Sequence, residues 1–360
     1  YQLIASTRDA NSTLMVARKF NHSHRIDGVM TIANDVPYTV SLVASNLGLR
    51  SISPKSAKCF MNKIKMKNCF EKENIKTPSF MSISSKENFM SVIKDVNLPM
   101  ILKPSDGRGS RGVLYIDDKI NYDWAYEHSL SSCDNKQLIL EEFIEGPQLS
   151  VEGLFVDGKY YAIAFADRNY NNLEHTKPFI VEDGGQIPSQ YEGEILAEIE
   201  TLIEEGARSL GISWGTIKAD IVIGSDGPQI IELAGRLSGN YLASHHIPMA
   251  YGINIVKSLI SLSIGEHVKT DDLVAKHKKF LGVRYFFPSE GVIKSILGTK
   301  EVMSKPYCRM LEIFVKQGDK QKTIDSHVGR AGTVICEGDN YQIAKSRVES
   351  AVNKVKFLVE

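Results

Sequence analysis

Apolar residues recur along the chain with two different periods. Residues 194–209 place Ile195, Leu196, Ile199, Leu202, Ile203 and Ala207 at helical spacing, with Gly211 just beyond as a C-terminal cap. Near the end, Ile343, Ala344, Val348, Ala351, Val352 and Val355 form one stripe and predict a closing helix. Elsewhere the pattern is strand-like. Residues 100–102 and 113–116 flank a glycine loop; 138–144, 149–156 and 160–166 are apolar runs, the last two joined by Asp157-Gly158, and predict an antiparallel sheet. Residues 1–54 alternate strand (1–6), helix (10–20), strand (28–32) and helix (37–47), an α/β pattern. After Pro54 a lysine-rich segment, 55–76, sets Phe60, Ile64, Met66 and Phe70 on one face and stops at Thr77-Pro78. From about residue 281 a separate unit of short strands and turns begins.

Composition narrows the function classes. At 360 residues, with 42% hydrophobic and 24% charged positions, the chain is an ordinary globular one with room for two or three domains. Lys plus Arg (43) balance Asp plus Glu (43), so no overall positive field favours nucleic acid or anionic lipid. Apolar runs such as 160–166 are far too short to span a bilayer. Five scattered cysteines without a C-x-x-C suit neither a zinc site nor a disulfide framework and point to a reducing cytoplasm. The first residue is Tyr1 rather than Met, which reads as a shortened chain.

The sequence Gly107-Arg108-Gly109-Ser110-Arg111-Gly112 matches G-x-G-x-x-G, but strand-forming Val113, Tyr115 and Ile116 follow it where a dinucleotide fingerprint needs a helix. No G-K-[ST] closes it as a Walker loop either. What remains is a glycine hairpin carrying Arg108, Ser110 and Arg111, with Lys103 on the entering strand, able to fold backbone N–H groups over phosphates; a plain solvated turn is the alternative.

A second feature comes from Gly224-Ser225-Asp226-Gly227-Pro228, a turn between strands at 218–223 and 229–233. Centring the turn on Asp226 pairs Ile223 with Gln229, Val222 with Ile230 and Asp220 with Glu232. Two carboxylates opposed across a ladder repel unless a cation lies between them, and hard oxygen ligands suit Mg²⁺. Solvated acids, or a register slipped by one residue, are the alternative.

Taken in order, Met100-Ile101-Leu102-Lys103-Pro104, the glycine loop, Leu140-Glu141-Glu142-Phe143-Ile144-Glu145-Gly146, Asp220 and Ile231-Glu232-Leu233-Ala234-Gly235-Arg236-Leu237-Ser238-Gly239 resemble the ATP-grasp superfamily over nearly the whole chain. The resemblance implies a mixed α/β (α+β) fold: an N-terminal α/β domain over 1–54 whose first strand is missing, an ATP-grasp domain over 55–280 with a mobile lid at about 79–141, and a small C-terminal α+β subdomain over 281–360. It further implies that Lys63 and Lys103 contact ATP phosphates, and that Gly107, Gly109, Ser110 and Gly112 form the lid loop. Glu141, Glu142, Phe143 and Ile144 would be the adenine-binding linker, Asp220 and Glu232 the ligands of Mg²⁺ or its substitute Mn²⁺, and Arg236, with Lys103, the catalytic cation beside the reacting carboxyl-phosphate. Two positions depart from the family: Gln148 replaces a ribose-binding glutamate, and Ala234 replaces an asparagine that would add a metal ligand.

The implied chemistry is ATP-dependent activation of a carboxylate as an acyl phosphate, which an amine attacks to form an amide, with small-molecule acid and amine as partners and a homodimer as one expectation. A bicarbonate-using carboxylase or carbamoyl-phosphate-type enzyme, and a nucleotide-binding pseudoenzyme, are the rival readings. Residues 174–179 and 182–189 resemble the substrate loop of the amino-acid ligase branch, and Ser244-His245-His246 is a weaker candidate for lining the pocket.

Overall fold

The computed structural model describes all 360 residues, Tyr1–Glu360. The chain divides into two units: one of residues 1–77, 149–165 and 191–277, the other of 78–148, 166–190 and 278–360. No helix is long and apolar enough to cross a membrane.

In the first unit the strands Lys159–Asn169, Gln148–Val156, Gly215–Gly224 and Gly227–Ala234 lie side by side in that order. Leu149, Val151, Ile217, Ala219, Ile221, Ile230 and Leu233 point to one side, where they meet Ile199, Leu202, Ile203 and Ala207 of helix Glu194–Ser209. That helix has its expected bounds, with Gly211 left-handed at φ +74° just past its end. The lysine-rich segment is two helices, Pro54–Phe60 and Lys63–Lys72, rather than one. Asn62 breaks it: in extended conformation, its side chain accepts from the Lys65 N–H at 3.0 Å and caps the second helix. Phe60, Met66 and Phe70 still reach the same core.

Helices Ala10–Asn21 and Pro37–Asn46 match the N-terminal reading, but the two strands expected there do not form. Residues 1–6 are irregular with Ile4 94% exposed, and of 28–32 only Ile32 forms a bridge, parallel, to Leu237. An apolar run without a hydrogen-bonded neighbour is not a strand.

The second unit contains a four-stranded sheet in the order Phe80–Ile83, Leu138–Glu142, Met100–Pro104, Leu114–Ile116, all antiparallel. Helices Lys86–Val92 and Tyr122–Ser131 cover it through Phe89, Ala125 and Tyr126. The same unit holds the order Cys308–Ile313, Gly332–Gly338, Phe280–Tyr285, Gly184–Ile187 and the end of Lys159–Asn169, packed under helix Tyr341–Lys354 by Ala344, Val348 and Ala351. Residues 174–189, expected as a long polar loop, are therefore largely built in: helix Leu173–Thr176 leads to Gly184–Ile187, a buried strand paired on both edges. Its glycines permit this, since a Cβ on Gly185 would lie 2.1 Å from the Asp167 carbonyl oxygen.

Candidate functional site

The acid hairpin has the expected pairing for a reason that differs from the expected one. Gly224 faces Gly227 across a two-residue turn, so Ile223 pairs with Pro228, Val222 with Gln229 and Ile221 with Ile230, each one residue off the predicted register. A bulge at Ile231 then adds a residue to the second strand, and Asp220 faces Glu232. The bulge also lets both Ile230 and Leu233 face the core. Directly opposed residues project from the same face, so the two carboxylates share the side of the sheet away from the core.

That face is densely ionic. Lys63 at the start of its helix is buried and reaches Glu232 Oε1 at 3.1 Å, while Lys218 pairs with Asp220 Oδ2 and Ser150 Oγ donates to Asp220 Oδ1 at 2.9 Å. Both candidate metal acids are thus satisfied by ammonium groups. No third His, Cys, Asp or Glu joins them, in keeping with Ala234 at the position that lacks a ligand side chain. Two carboxylates projecting from one face suit a hard cation that keeps water and shares phosphate oxygens, so the donor set fits Mg²⁺.

Arg236 extends from the end of the hairpin and donates through Nε to Asp35 Oδ1 at 2.5 Å. Burial pulls its pKa down, yet Asp35, Glu152 and Glu232 together hold it above its ordinary value. Gly235 before it is required by packing, since a Cβ there would lie 2.5 Å from the Phe60 ring. Asp35 was not foreseen; it is placed by the Ile32–Leu237 bridge and by the Ala33 N–H, which donates to Leu237 O at 3.0 Å.

Glu152 was not foreseen either. It is fully buried, two residues beyond Ser150 on strand Gln148–Val156 and so on the same face, while Leu149 and Val151 face the core. Its Oε1 accepts from the Ser238 N–H at 2.8 Å; its Oε2 and the Ser238 hydroxyl make no hydrogen bond of normal geometry, although the hydroxyl lies near enough to lower the carboxyl's pKa. Burial pushes the Glu152 carboxyl up to about 7, against the lowering pull of Ser238, Arg236 and Lys218. The alternation Gln148, Ser150, Glu152 was the available signal.

In the second unit, Lys103 and Glu141 form a buried ion pair at 2.6 Å. Glu142 turns outward and accepts from Ser79 Oγ at 2.9 Å. The expected linker strand ends at Glu142; Phe143 packs edge-on against Tyr115, and Ile144 lies in the irregular stretch before the half-buried Gln148. The glycine loop joins two antiparallel strands and is tied down: Ser110, left-handed at φ +61°, donates through its hydroxyl to Ile180 O, and Gly109 O accepts from the His327 N–H at 3.1 Å. Gly107 and Gly112 bracket this anchored stretch, and Gly107 N–H donates to Pro104 O at 3.3 Å. In the first unit, His246 is buried, with its pKa lowered to about 3 by burial and then by His245; it is a neutral core residue, while His245 is half-buried.

Residues 60–240 match the model of the ATP-grasp domain. The chain belongs to the ATP-grasp family. Residues 284–360 match the model of the L-amino acid ligase C-terminal domain 2. The uncharacterized protein y4rH of Sinorhizobium fredii is 22% identical over 348 residues, covering 95% of this chain and 70% of that protein. Alanine–anticapsin ligase of Bacillus subtilis is 24% identical over 243 residues, 60% of this chain and 49% of the enzyme, so the chain spans about half of that relative's length. An L-amino acid ligase from Bacillus licheniformis superposes with a TM-score of 0.83 over 98% of this chain and 85% of that one, at 18% identity, a likeness of fold.

Proposed function

We propose that this protein is an ATP- and Mg²⁺-dependent ligase that activates a small carboxylate as an acyl phosphate and joins it to an amine, making an amide or peptide-like bond. The observation that carries the reading is the placement of Asp220 opposite Glu232 on a face that also holds Lys63, Lys218 and Arg236. The amino-acid ligase module matched at residues 284–360, and the alanine–anticapsin ligase among the relatives, favour amino acids as the acid and the amine.

Asp220 and Glu232 would hold the metal, which neutralises phosphate charge when bound. Lys63 and Lys218, released from the two acids, become free to balance phosphate oxygens. Lys103 would contact the nucleotide phosphates, with Glu141 fixing its position and charge, and the stretch Glu141, Glu142, Phe143, Ile144 and Gln148 would take adenine and ribose. Gly107, Gly109, Ser110 and Gly112 would cover the phosphates and exclude water from the acyl phosphate once Ser110 leaves Ile180. Arg236, held by Asp35, would stabilise charge on the reacting carboxyl-phosphate.

The test is incubation with MgATP and pairs of L-amino acids. ADP release that needs both an acid and an amine, with a product of the condensed mass, is expected, and chelation with EDTA should stop it. ADP release that needs bicarbonate instead, or nucleotide binding without turnover across the panel, would overturn the reading.

A further inference from the structure

An amide-forming step has a requirement that the residues above leave unmet. At neutral pH an amino acid's amine arrives as an ammonium ion, whose nitrogen has no lone pair for attack. A proton must leave. Lys63, Lys103, Lys218 and Arg236 are cations and poor acceptors, and Asp220 and Glu232 are occupied by ammonium groups in this structure.

We propose that Glu152 is the base that takes this proton, an inference that rests on the ligase reading above. Strand parity puts it on the ionic face, in line with Ser150, whose hydroxyl holds Asp220. One oxygen is fixed by the Ser238 N–H at 2.8 Å, which orients the carboxyl. The other oxygen is buried and accepts no hydrogen bond of normal geometry, a state shared by Asp183 in the second unit but found here on the ionic face, and one that an N–H donor would relieve. The Ser238 hydroxyl, two residues past Arg236, lies beside the same carboxyl without a hydrogen bond of normal geometry, and its oxygen would accept a second N–H from the same nitrogen. Arg236 feels the charge of Glu152, so the base and the cation assigned to the acyl phosphate act on neighbouring space.

The step balances without a further reactant. A proton moves from the ammonium to Glu152 Oε2, and the freed nitrogen pair forms the C–N bond. The C–O bond to phosphate then breaks; the phosphate oxygen leaves with that electron pair and takes the nitrogen's second excess proton, giving the amide and hydrogen phosphate. A carboxyl raised by burial to about 7 can hold the proton near neutrality and pass it to the hydrogen phosphate as that leaves.

Hydroxylamine separates this role from a structural one. It is largely neutral at pH 8 and needs no base to attack an acyl phosphate. With MgATP and each L-amino acid in turn, wild-type protein should form both hydroxamate and dipeptide. In Glu152→Gln, nearly isosteric, hydroxamate formation should stay within about threefold while amide formation falls by about 10²-fold or more. Glu152→Asp, which keeps a carboxylate, should recover amide formation to within about tenfold of wild type. Equal loss of both products in Glu152→Gln, or loss of neither, overturns the assignment, as does a Glu152→Asp variant no better than Glu152→Gln. Absence of hydroxamate from wild type with every amino acid sinks the ligase reading itself, which is a different result.

Discussion

Glu152 and Asp167 are both carboxylates sealed from water within a sheet, and burial raises the pKa of each, but their surroundings differ in one respect. Asp167, in the second unit, is fully matched: Ser189 Oγ donates to one oxygen, and the Gln190 N–H at 3.1 Å and Tyr341 OH at 2.8 Å donate to the other. Glu152, in the first, has one donor and one bare oxygen. A buried acid with both oxygens matched ties strands and a helix together; one with an oxygen left incomplete costs stability and is a candidate for chemistry.

The largest effect expected from this contrast is structural. Asp167→Ala strands three donors, one buried and two partly buried, and should lower unfolding free energy by about 3 kcal/mol, read as a shift of the urea midpoint. Glu152→Gln should cost about 1 kcal/mol or less in the same assay at neutral pH. If the two variants lose similar stability, the contrast fails.

A titration sharpens it next. The folded Glu152 carboxyl sits at about 7 against its ordinary 4.5, so between those values the unfolded chain has released a proton that the folded one keeps. Stability therefore falls as pH rises through this window, by up to about 3 kcal/mol. Glu152→Gln should remove that fall. Buried His246, neutral when folded and with its pKa depressed to about 3, has the opposite slope: its contribution is lost as pH drops from its ordinary 6.5. The comparison must accordingly be made as wild type minus variant, which cancels His246.

Glu232 shares the ionic face with Glu152. Glu232→Ala should keep the fold and lower ligation at least about 100-fold, as loss of a metal acid does, which is the reverse of Asp167→Ala. Turnover within tenfold of wild type in Glu232→Ala would remove the face from the mechanism.

Much of the fold was readable, because helical stripes and strand alternation are local signals. Helix 194–209 and strand 100–104 follow from their own residues. The opposed acids were readable only by good fortune in the arithmetic: a one-residue error at the turn is cancelled by the bulge at Ile231, and nothing in Ile230-Ile231-Glu232 announces a bulge. Asp35 lies 201 residues from Arg236, and no local pattern links them. Glu152 had a signal in the period-two alternation with Ser150, but parity gives a face, and its bare oxygen is a property of packing. Within residues 174–189, 184–187 are a strand rather than loop, although glycine and polar residues suggest loop; Gly184 and Gly185 are there because neighbouring strands come too close for a Cβ.

Two hydroxyls give the finest division of the contrast. Tyr341 donates to Asp167 at 2.8 Å and lies 3.0 Å from Gln186 Oε1, so Tyr341→Phe should cost about 1 kcal/mol in thermal or urea unfolding. Ser238 is more deeply buried, yet its hydroxyl makes no hydrogen bond of normal geometry to lose while its backbone N–H keeps Glu152 in place. Ser238→Ala should then change stability by no more than about 0.5 kcal/mol, or raise it slightly by removing an unmatched polar group. A loss above about 1 kcal/mol would mean that Oγ is already spent within the fold. Glu152 would in that case be as complete as Asp167, and the distinction between a binding acid and a structural one would no longer hold.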